Sequence, residues 1–137
     1  MHLKVLCALA AAAFALTACN KSETPADVQH DVATAQAEGQ RDVADARSDA
    51  KEANADADKN VADAIADNDA DDVAEQAHDA NETADEGKSR IVIAQAEAAH
   101  KVAVEKCDAL TGASQQECKD DADARLDQAK EATKTSR

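Results

Sequence analysis

The chain has 137 residues, and its 29 acidic side chains outnumber its 15 lysines and arginines, which gives a formal net charge of −14 at pH 7. Aromatic residues make up 1% of the chain, so a globular core of large side chains is excluded. The negative charge repels nucleic acid and anionic lipid headgroups, so neither is an expected partner. Alanine, the best helix former, replaces the missing apolar residues and predicts an all-α protein with thin packing.

The first element is an apolar run that follows Lys4 and extends from residue 5 to residue 16. At about 12 residues it is too short to span a bilayer and is typical of a secretory signal. The Leu-Thr-Ala-Cys sequence that ends at Cys19 resembles the lipobox of bacterial lipoproteins. The resemblance implies that residues 1–18 are a signal peptide and that Cys19 becomes an acylated N-terminus. A plain signal peptide cleaved after Ala18 is the alternative.

The polar stretch at residues 19–27 contains the only proline, Pro25, and is expected to be a flexible tether. Several acyl chains hold a protein on a membrane stably, whereas a single chain does so only marginally. In bacterial lipoproteins an aspartate directly after the lipidated cysteine favours the inner membrane, and Asn20 stands at that position here. The resemblance therefore implies a place in the cell envelope on the periplasmic face of the outer membrane.

Residues 28–87 form an acidic segment that repeats every eleven residues from His30, as HDVATAQAEGQ, RDVADARSDAK, EANADADKNVA and DAIADNDADDV. Eleven residues in three turns keep equivalent positions on a nearly straight stripe of one helix. As a single helix, the repeat from His30 to about residue 86 would be about 85 Å long. Aspartates spaced four apart and Gly39 weaken it, so we expect a marginal, partly disordered helix that a partner helix or self-association would strengthen.

Gly87 and Ser89 predict a break between two helices. Gly87 is expected to end the acidic helix in the left-handed conformation, and Ser89 is expected to cap the next helix. Residues 27–87 carry a net charge of −15, whereas residues 88–137 contain nine acids and nine bases. The two halves therefore have different expected roles, and residues 88–137 are predicted to form a helical hairpin.

The turn of this hairpin is predicted at Gly112. Ser114 and Glu117 have the S-x-x-E spacing of a capping box, which predicts that the second helix of the hairpin starts at Ser114. Antiparallel helices around the turn place Cys107 beside Cys118. Because the predicted compartment is oxidising, the two cysteines are expected to form a disulfide.

Residues 107–112 have the sequence Cys-Asp-Ala-Leu-Thr-Gly, and Cys118 follows Cys107 by eleven residues. This pattern resembles the C-D-x-L-x-G motif and second cysteine of small secreted helical proteins of Gram-negative bacteria. The resemblance covers about residues 94–134 and implies a periplasmic helical hairpin. It implies no activity, because that family is uncharacterised.

A redox role for the cysteines is disfavoured by their position. Catalytic dithiols usually have C-x-x-C spacing at a helix N-terminus, where the thiolate is stabilised. Cys107 is expected near a helix C-terminus, which does not stabilise a thiolate. A structural disulfide is therefore the preferred interpretation.

Two acidic clusters resemble parts of metal sites. Residues 67–71 match the D-x-D-x-D opening of a calcium loop, but Asp72 replaces the required glycine and His78 replaces the required glutamate. Glu75, His78 and Glu82 share one helical face, but such a site needs ligands from other helices. We therefore predict no metal site and no cofactor, and only weak, non-specific association with divalent cations.

The sequence shows no nucleophile–base arrangement and no glycine-rich phosphate loop, so we predict a non-enzyme. The features together predict a lipid-anchored envelope protein with a structural, spacer or interaction role, in which the acidic helix presents the C-terminal hairpin. Its expected partners are the membrane, through the acyl chains, and either a second copy or an envelope protein. The alternative is a hydration or stress protectant, because late-embryogenesis-type proteins share this composition and repeat and stay disordered until dried.

Overall fold

The computed structural model describes residues 22–135, so the predicted signal peptide and Cys19 lie outside the described residues. The described chain consists of three α-helices: α1 (Pro25–Asp67), α2 (Ala70–Cys107) and α3 (Gly112–Thr135). α2 lies in the middle, and α1 and α3 each pack against it without packing against each other. The predicted all-α class with a disulfide-closed helical hairpin is confirmed.

The start of α1 lies inside the predicted tether of residues 19–27. Pro25 occupies the first turn, where its fixed φ suits the helix and its missing N–H costs nothing. The hydroxyl oxygen of Thr24 accepts a hydrogen bond from the backbone N–H of Asp27 at 3.3 Å, which caps the helix. The tether therefore ends before Pro25, and the expectation that it extends to residue 27 is wrong.

The acidic segment does not form one extended helix, because the chain reverses at Asn68. This residue has φ 60°, the left-handed conformation that asparagine tolerates at a helix end. The next residue, Asp69, opens α2: its carboxylate accepts hydrogen bonds from the N–H groups two and three residues on, at 3.0 and 3.2 Å. The calcium-like motif at residues 67–71 thus forms a helix-capping turn.

Two pairs of small residues set the antiparallel register of α1 and α2. A Cβ atom added to Gly39 would lie 2.5 Å from the Cβ of Ala98, and one added to Gly87 would lie 3.0 Å from the Cβ of Ala50. Each helix thus contributes one glycine and one alanine to the close approach. The predicted break at Gly87 is wrong, since α2 continues through it. Ser89 is not a cap either, because it is buried inside α2 and its hydroxyl donates to the carbonyl four residues earlier at 2.9 Å.

The eleven-residue repeat has a partner within the same chain. Two of its columns lie on the side of α1 that faces α2, and their residues are buried or half-buried: Ala35, Ala46, Ala57, Gly39, Ala50 and Val61. A neighbouring column is exposed: Ala33, Ala44, Ala55 and Ala66. α2 therefore covers the two facing columns, whereas Ile65, in another column of the repeat, is 60% exposed.

The disulfide joins the end of α2 to the second turn of α3. Cys107 and Cys118 have Cα atoms 5.6 Å apart, and Cys107 is fully buried. Gly112 has φ 61° and is already the first residue of α3. Ser114 and Glu117 consequently lie within the helix, so the prediction that they form its cap is wrong. The left-handed glycine lets α3 start two residues earlier than expected.

The helices differ in length, with 43 residues in α1, 38 in α2 and 24 in α3. In the register that the disulfide sets, the end of α3 lies level with about residue 90 of α2. We call residues 48–90, where only α1 and α2 pair, the arm. The remaining described residues, 22–47 and 91–135, form the base. None of the helices within residues 22–135 is long and apolar enough to cross a bilayer.

Candidate functional site

The predicted site residues within residues 22–135 lie at the end of the base where the disulfide joins α2 to α3. Cys107 and Cys118 are brought together there, and the burial of Cys107 shields its sulfur from other thiols. This geometry favours a structural disulfide. Gly112 begins α3 beside the disulfide, while Cys19, the predicted lipidation site, lies outside the described residues.

Asp108, directly after the first disulfide cysteine, connects three segments of the chain. Its carboxylate accepts hydrogen bonds from the Gln115 side chain at 2.8 Å and from the Lys119 ammonium at 2.7 Å. Its backbone carbonyl accepts a hydrogen bond from the N–H of Glu23 at 3.2 Å. The segment that enters α1 is therefore attached to the same turn that the disulfide closes.

The charges around this turn shift two pKa values. The hydrogen bond to Asp108 raises the pKa of Lys119, although partial desolvation opposes the shift. Desolvation raises the pKa of Glu23, and repulsion from carboxylates that include Asp31 and Asp108 raises it further. Several carboxylates therefore crowd the entry to α1.

Polar contacts between helices are concentrated in the base. The hydrogen bond to Asp42 raises the pKa of Lys101, which thereby links α2 to α1. The contacts that join helices are Lys101–Asp42 at 2.7 Å, His100–Asp123 at 2.6 Å and Lys130–Glu97 at 3.0 Å. Sequence reasoning missed these contacts, because the register between distant segments was not known.

A groove of about 750 Å³ runs over α2 between α1 and α3. Its apolar lining includes Val43 and Val102, whereas Arg47, Lys106 and Arg125 line it with positive charge. Three glutamines also line it: Gln36, Gln40 and Gln95. Each of the three helices contributes one of these cations. Sequence reasoning missed this site as well, since the three residues meet only after the chain has reversed twice.

A candidate metal cluster lies on the exposed side of α2 in the arm. Ligand atoms of His78, Asp79 and Glu82 lie within 4.8 Å of one another, and all three side chains are exposed. The depression beside them is lined by α2 alone, so no second helix encloses the cluster. One exposed helix face is suited at most to weak cation contacts, and the predicted non-specific cation association stays a prediction.

No protein-family model, curated protein or solved structure matches this chain. The resemblances to the lipobox and to small secreted helical proteins therefore stay predictions. The argument for function accordingly depends on the geometry of the described residues and on the sequence motifs.

Proposed function

We propose that the chain is a lipid-anchored, non-catalytic protein of the cell envelope, held by acyl chains on Cys19 at the periplasmic face of the outer membrane. In this role it is a structural spacer that presents helical surfaces to an envelope partner. The Leu-Thr-Ala-Cys sequence that ends at Cys19 supports the anchor. The observation that carries the spacer role is the attachment of the segment before α1 to the disulfide turn, through the N–H of Glu23 and the carbonyl of Asp108.

This attachment supports a defined orientation on the membrane. Ser22, the first described residue, follows Cys19 by three positions, so an anchor there leads directly into the base. The turn at Asn68 lies at the other end of α1, about 65 Å away at 1.5 Å per residue. The arm, and not the C-terminal hairpin expected from the sequence, then extends away from the membrane.

The polar groups of the base support a structural role. The side chains of Asp108 and Lys119 bind each other, and the cysteines are joined covalently. These groups therefore stabilise the base. A catalytic site would instead require a nucleophile that is held beside a proton-accepting side chain and is open to substrate.

The anchor is tested by expressing the full chain in a Gram-negative host and fractionating the envelope. We expect acylated Cys19 in the outer-membrane fraction by mass spectrometry of the N-terminal peptide. The Cys19→Ser variant should leave that fraction, because it has no thiol to acylate. A Cys7→Ser variant is the matched control and should stay with the membrane. A soluble wild-type chain with an unmodified N-terminus would reject the anchor.

The spacer is distinguished from the protectant by the state of the soluble chain. Residues 19–137 with Cys19→Ser and an intact disulfide should be helical and elongated in dilute buffer, because the glycine–alanine contacts pair α1 with α2. Circular dichroism and small-angle X-ray scattering measure both properties. A chain that is unfolded in buffer and gains helix only on drying would favour the protectant.

A further inference from the structure

The groove between α1 and α3 differs in charge from four other depressions on the surface of residues 22–135. Arg47, Lys106 and Arg125 line it, and its lining contains no acidic side chain. Each of four other depressions is lined by at least two acidic residues. In a chain with a net charge of −14, this local positive surface indicates an anionic occupant.

The three cations do not contribute ion pairs to the described fold. Among residues 22–135, Arg47, Lys106 and Arg125 are absent from the ion pairs, and all three are exposed. The lysines and arginine that form ion pairs are Lys88, Arg90, Lys101, Lys119, Lys130 and Lys134. The groove cations are therefore free to pair with another molecule.

The spacing of the cations indicates the shape of the occupant. In the register that the Gly39–Ala98 contact sets, Lys106 lies level with about residue 31 of α1, so Arg47 is about 24 Å further along the axis. Arg125 lies between them in the register of the disulfide. A single anionic headgroup pairs only with cations within about 4 Å, so it cannot contact all three cations along this length. A helix of about 16 residues spans it.

The floor of the groove indicates the character of that helix. Ala98, Ala99 and Ala103 of α2 line the groove together with Val43 and Val102, so its apolar side chains are short. Short side chains let a second helix approach closely and bury its own apolar stripe, as in other helix-in-groove complexes. The occupant is therefore amphipathic, with its acidic residues on the flanks of the stripe.

A second copy of this chain does not fit in the same orientation. A two-fold pair joined groove to groove would bring two sets of Arg47, Lys106 and Arg125 together, and like charges repel across an interface. This symmetric pairing is therefore excluded, and charge complementarity favours a strongly acidic helix as the occupant. We propose that the groove is a docking site for an amphipathic helix of a partner protein that carries acidic side chains along both edges of its apolar face.

This proposal rests on the interaction role proposed above and names the surface and the class of partner. It does not depend on the anchor, because it concerns contacts within residues 22–135. The probe is a synthetic peptide of about 18 residues with a Leu/Ala stripe flanked by glutamates, long enough to cover the row of cations. Two comparison peptides carry either the same residues in scrambled order or lysines in place of the glutamates.

Binding is measured by fluorescence anisotropy on residues 19–137 with Cys19→Ser, which keeps every described residue. We expect the triple variant Arg47→Gln, Lys106→Gln, Arg125→Gln to bind the acidic peptide about tenfold more weakly, because three pairings are lost. The matched control neutralises three other exposed cations that form no ion pair within residues 22–135. Its affinity for the peptide should stay within about twofold of that of the parent protein. Its substitutions are Arg41→Gln, Lys51→Gln and Lys59→Gln.

A second variant tests the floor without changing charge. Ala99 is exposed and lines the groove, so Ala99→Phe should block the peptide while the helical circular dichroism spectrum stays unchanged. Preserved binding in Ala99→Phe would overturn the proposal. Equal losses in the two triple variants would also overturn it, since that result indicates unspecific charge attraction.

The comparison probes give the remaining outcomes. Equal binding of the scrambled peptide, or tighter binding of the lysine peptide, would reject an acidic amphipathic helix as the occupant. Vesicles of phosphatidylglycerol serve as the lipid probe. Vesicle binding that depends on Arg47, Lys106 and Arg125, without peptide binding, would assign the groove to a lipid surface and overturn the proposal. If peptide binding holds while Cys19 proves unmodified in cells, only the anchor is rejected.

Discussion

The base and the arm are built from similar alanine-rich helices, but they are held together differently. The base has a disulfide and ion pairs that join helices, such as Lys101–Asp42 between α1 and α2. The arm contains 14 acidic and 4 basic residues, and its described ion pairs all lie within α2. Close packing of mostly small residues, as at Ala50 and Gly87, opposes the repulsion between its helices.

This difference shows how a chain with few large apolar residues can still form defined structure. In the base, cross-links and charge pairs compensate for the thin core. In the arm, glycine and alanine bring the two backbones close enough for dispersion contacts along their whole length. We therefore expect the arm to open more readily than the base, since no disulfide or ion pair of the described residues joins its two helices.

Removal of the disulfide is expected to have the largest effect, and only in the base. Replacing Cys107 and Cys118 with serine should destabilise α3 by about 3 kcal/mol, because the covalent loop no longer restricts the unfolded chain. Residue-resolved hydrogen exchange should show lost protection in α3 and unchanged protection in the arm. Wild-type protein in reductant provides the control. Equal loss of protection in both regions would show that the base and the arm unfold as one unit.

The close helix contact in the arm gives the next largest effect. Gly87→Leu should destabilise the arm by about 1–3 kcal/mol, because the larger side chain overlaps Ala50 and forces the helices apart. Thermal unfolding followed by circular dichroism measures the change. Ala66→Leu, on the exposed face of the arm, is the matched control and should have little effect. If both leucine variants behave alike, the two helices are not in contact at Gly87.

The turn at the end of the arm makes a smaller contribution. Asp69→Ala should cost about 0.5–2 kcal/mol, because two backbone N–H groups at the start of α2 lose their acceptor. Asp63→Ala serves as the comparison, since it removes an exposed acidic side chain from a helix interior and should increase helicity. Hydrogen exchange at the first turn of α2 distinguishes the two variants, because only Asp69→Ala should make it faster there. Unchanged exchange there in Asp69→Ala would contradict the capping role.

The smallest predicted effect is a pH dependence in the base. Because the folded chain raises the pKa of Glu23 above 4.5, the folded state holds this proton more tightly than the unfolded state. The contribution of Glu23 to stability is therefore fully present below pH 4.5. This contribution is lost as the pH rises through the pKa that Glu23 has in the folded state. Glu23→Gln should stabilise the protein slightly at pH 7 and reduce this dependence. Thermal unfolding at several pH values measures it, and an equal effect of Glu52→Gln in the arm would contradict the assignment.

Local features of the structure could be predicted, and those that depend on distant partners could not. The helical class follows from alanine content, and the disulfide from two cysteines on either side of a glycine turn. The reversal at Asn68 was missed although its signal is local: an asparagine suited to a left-handed helix end, followed by an aspartate cap. The acidic residues around Asn68 continue the eleven-residue repeat, which favours a continuous helix over a turn.

Gly87 shows why a local signal can be ambiguous. Glycine suits both a helix end and a close contact between two helices, and only the presence of Ala50 opposite decides which applies. The positive groove likewise depends on residues that are distant in the sequence. Arg47, Lys106 and Arg125 are widely separated in the sequence and meet because both outer helices pack on α2.

The sequence by itself determined the helical class, the charge and the cysteine pairing, since these follow from residue type and short spacing. Tertiary structure alone decided that the repeat stripe packs on α2, that the disulfide lies at the entry to α1 and that three cations share one groove. The physical reason is that a stripe of alanine and glycine can accept many partner helices at similar free energy. The turn at Asn68 and Asp69 selects one of them by bringing α2 back along α1.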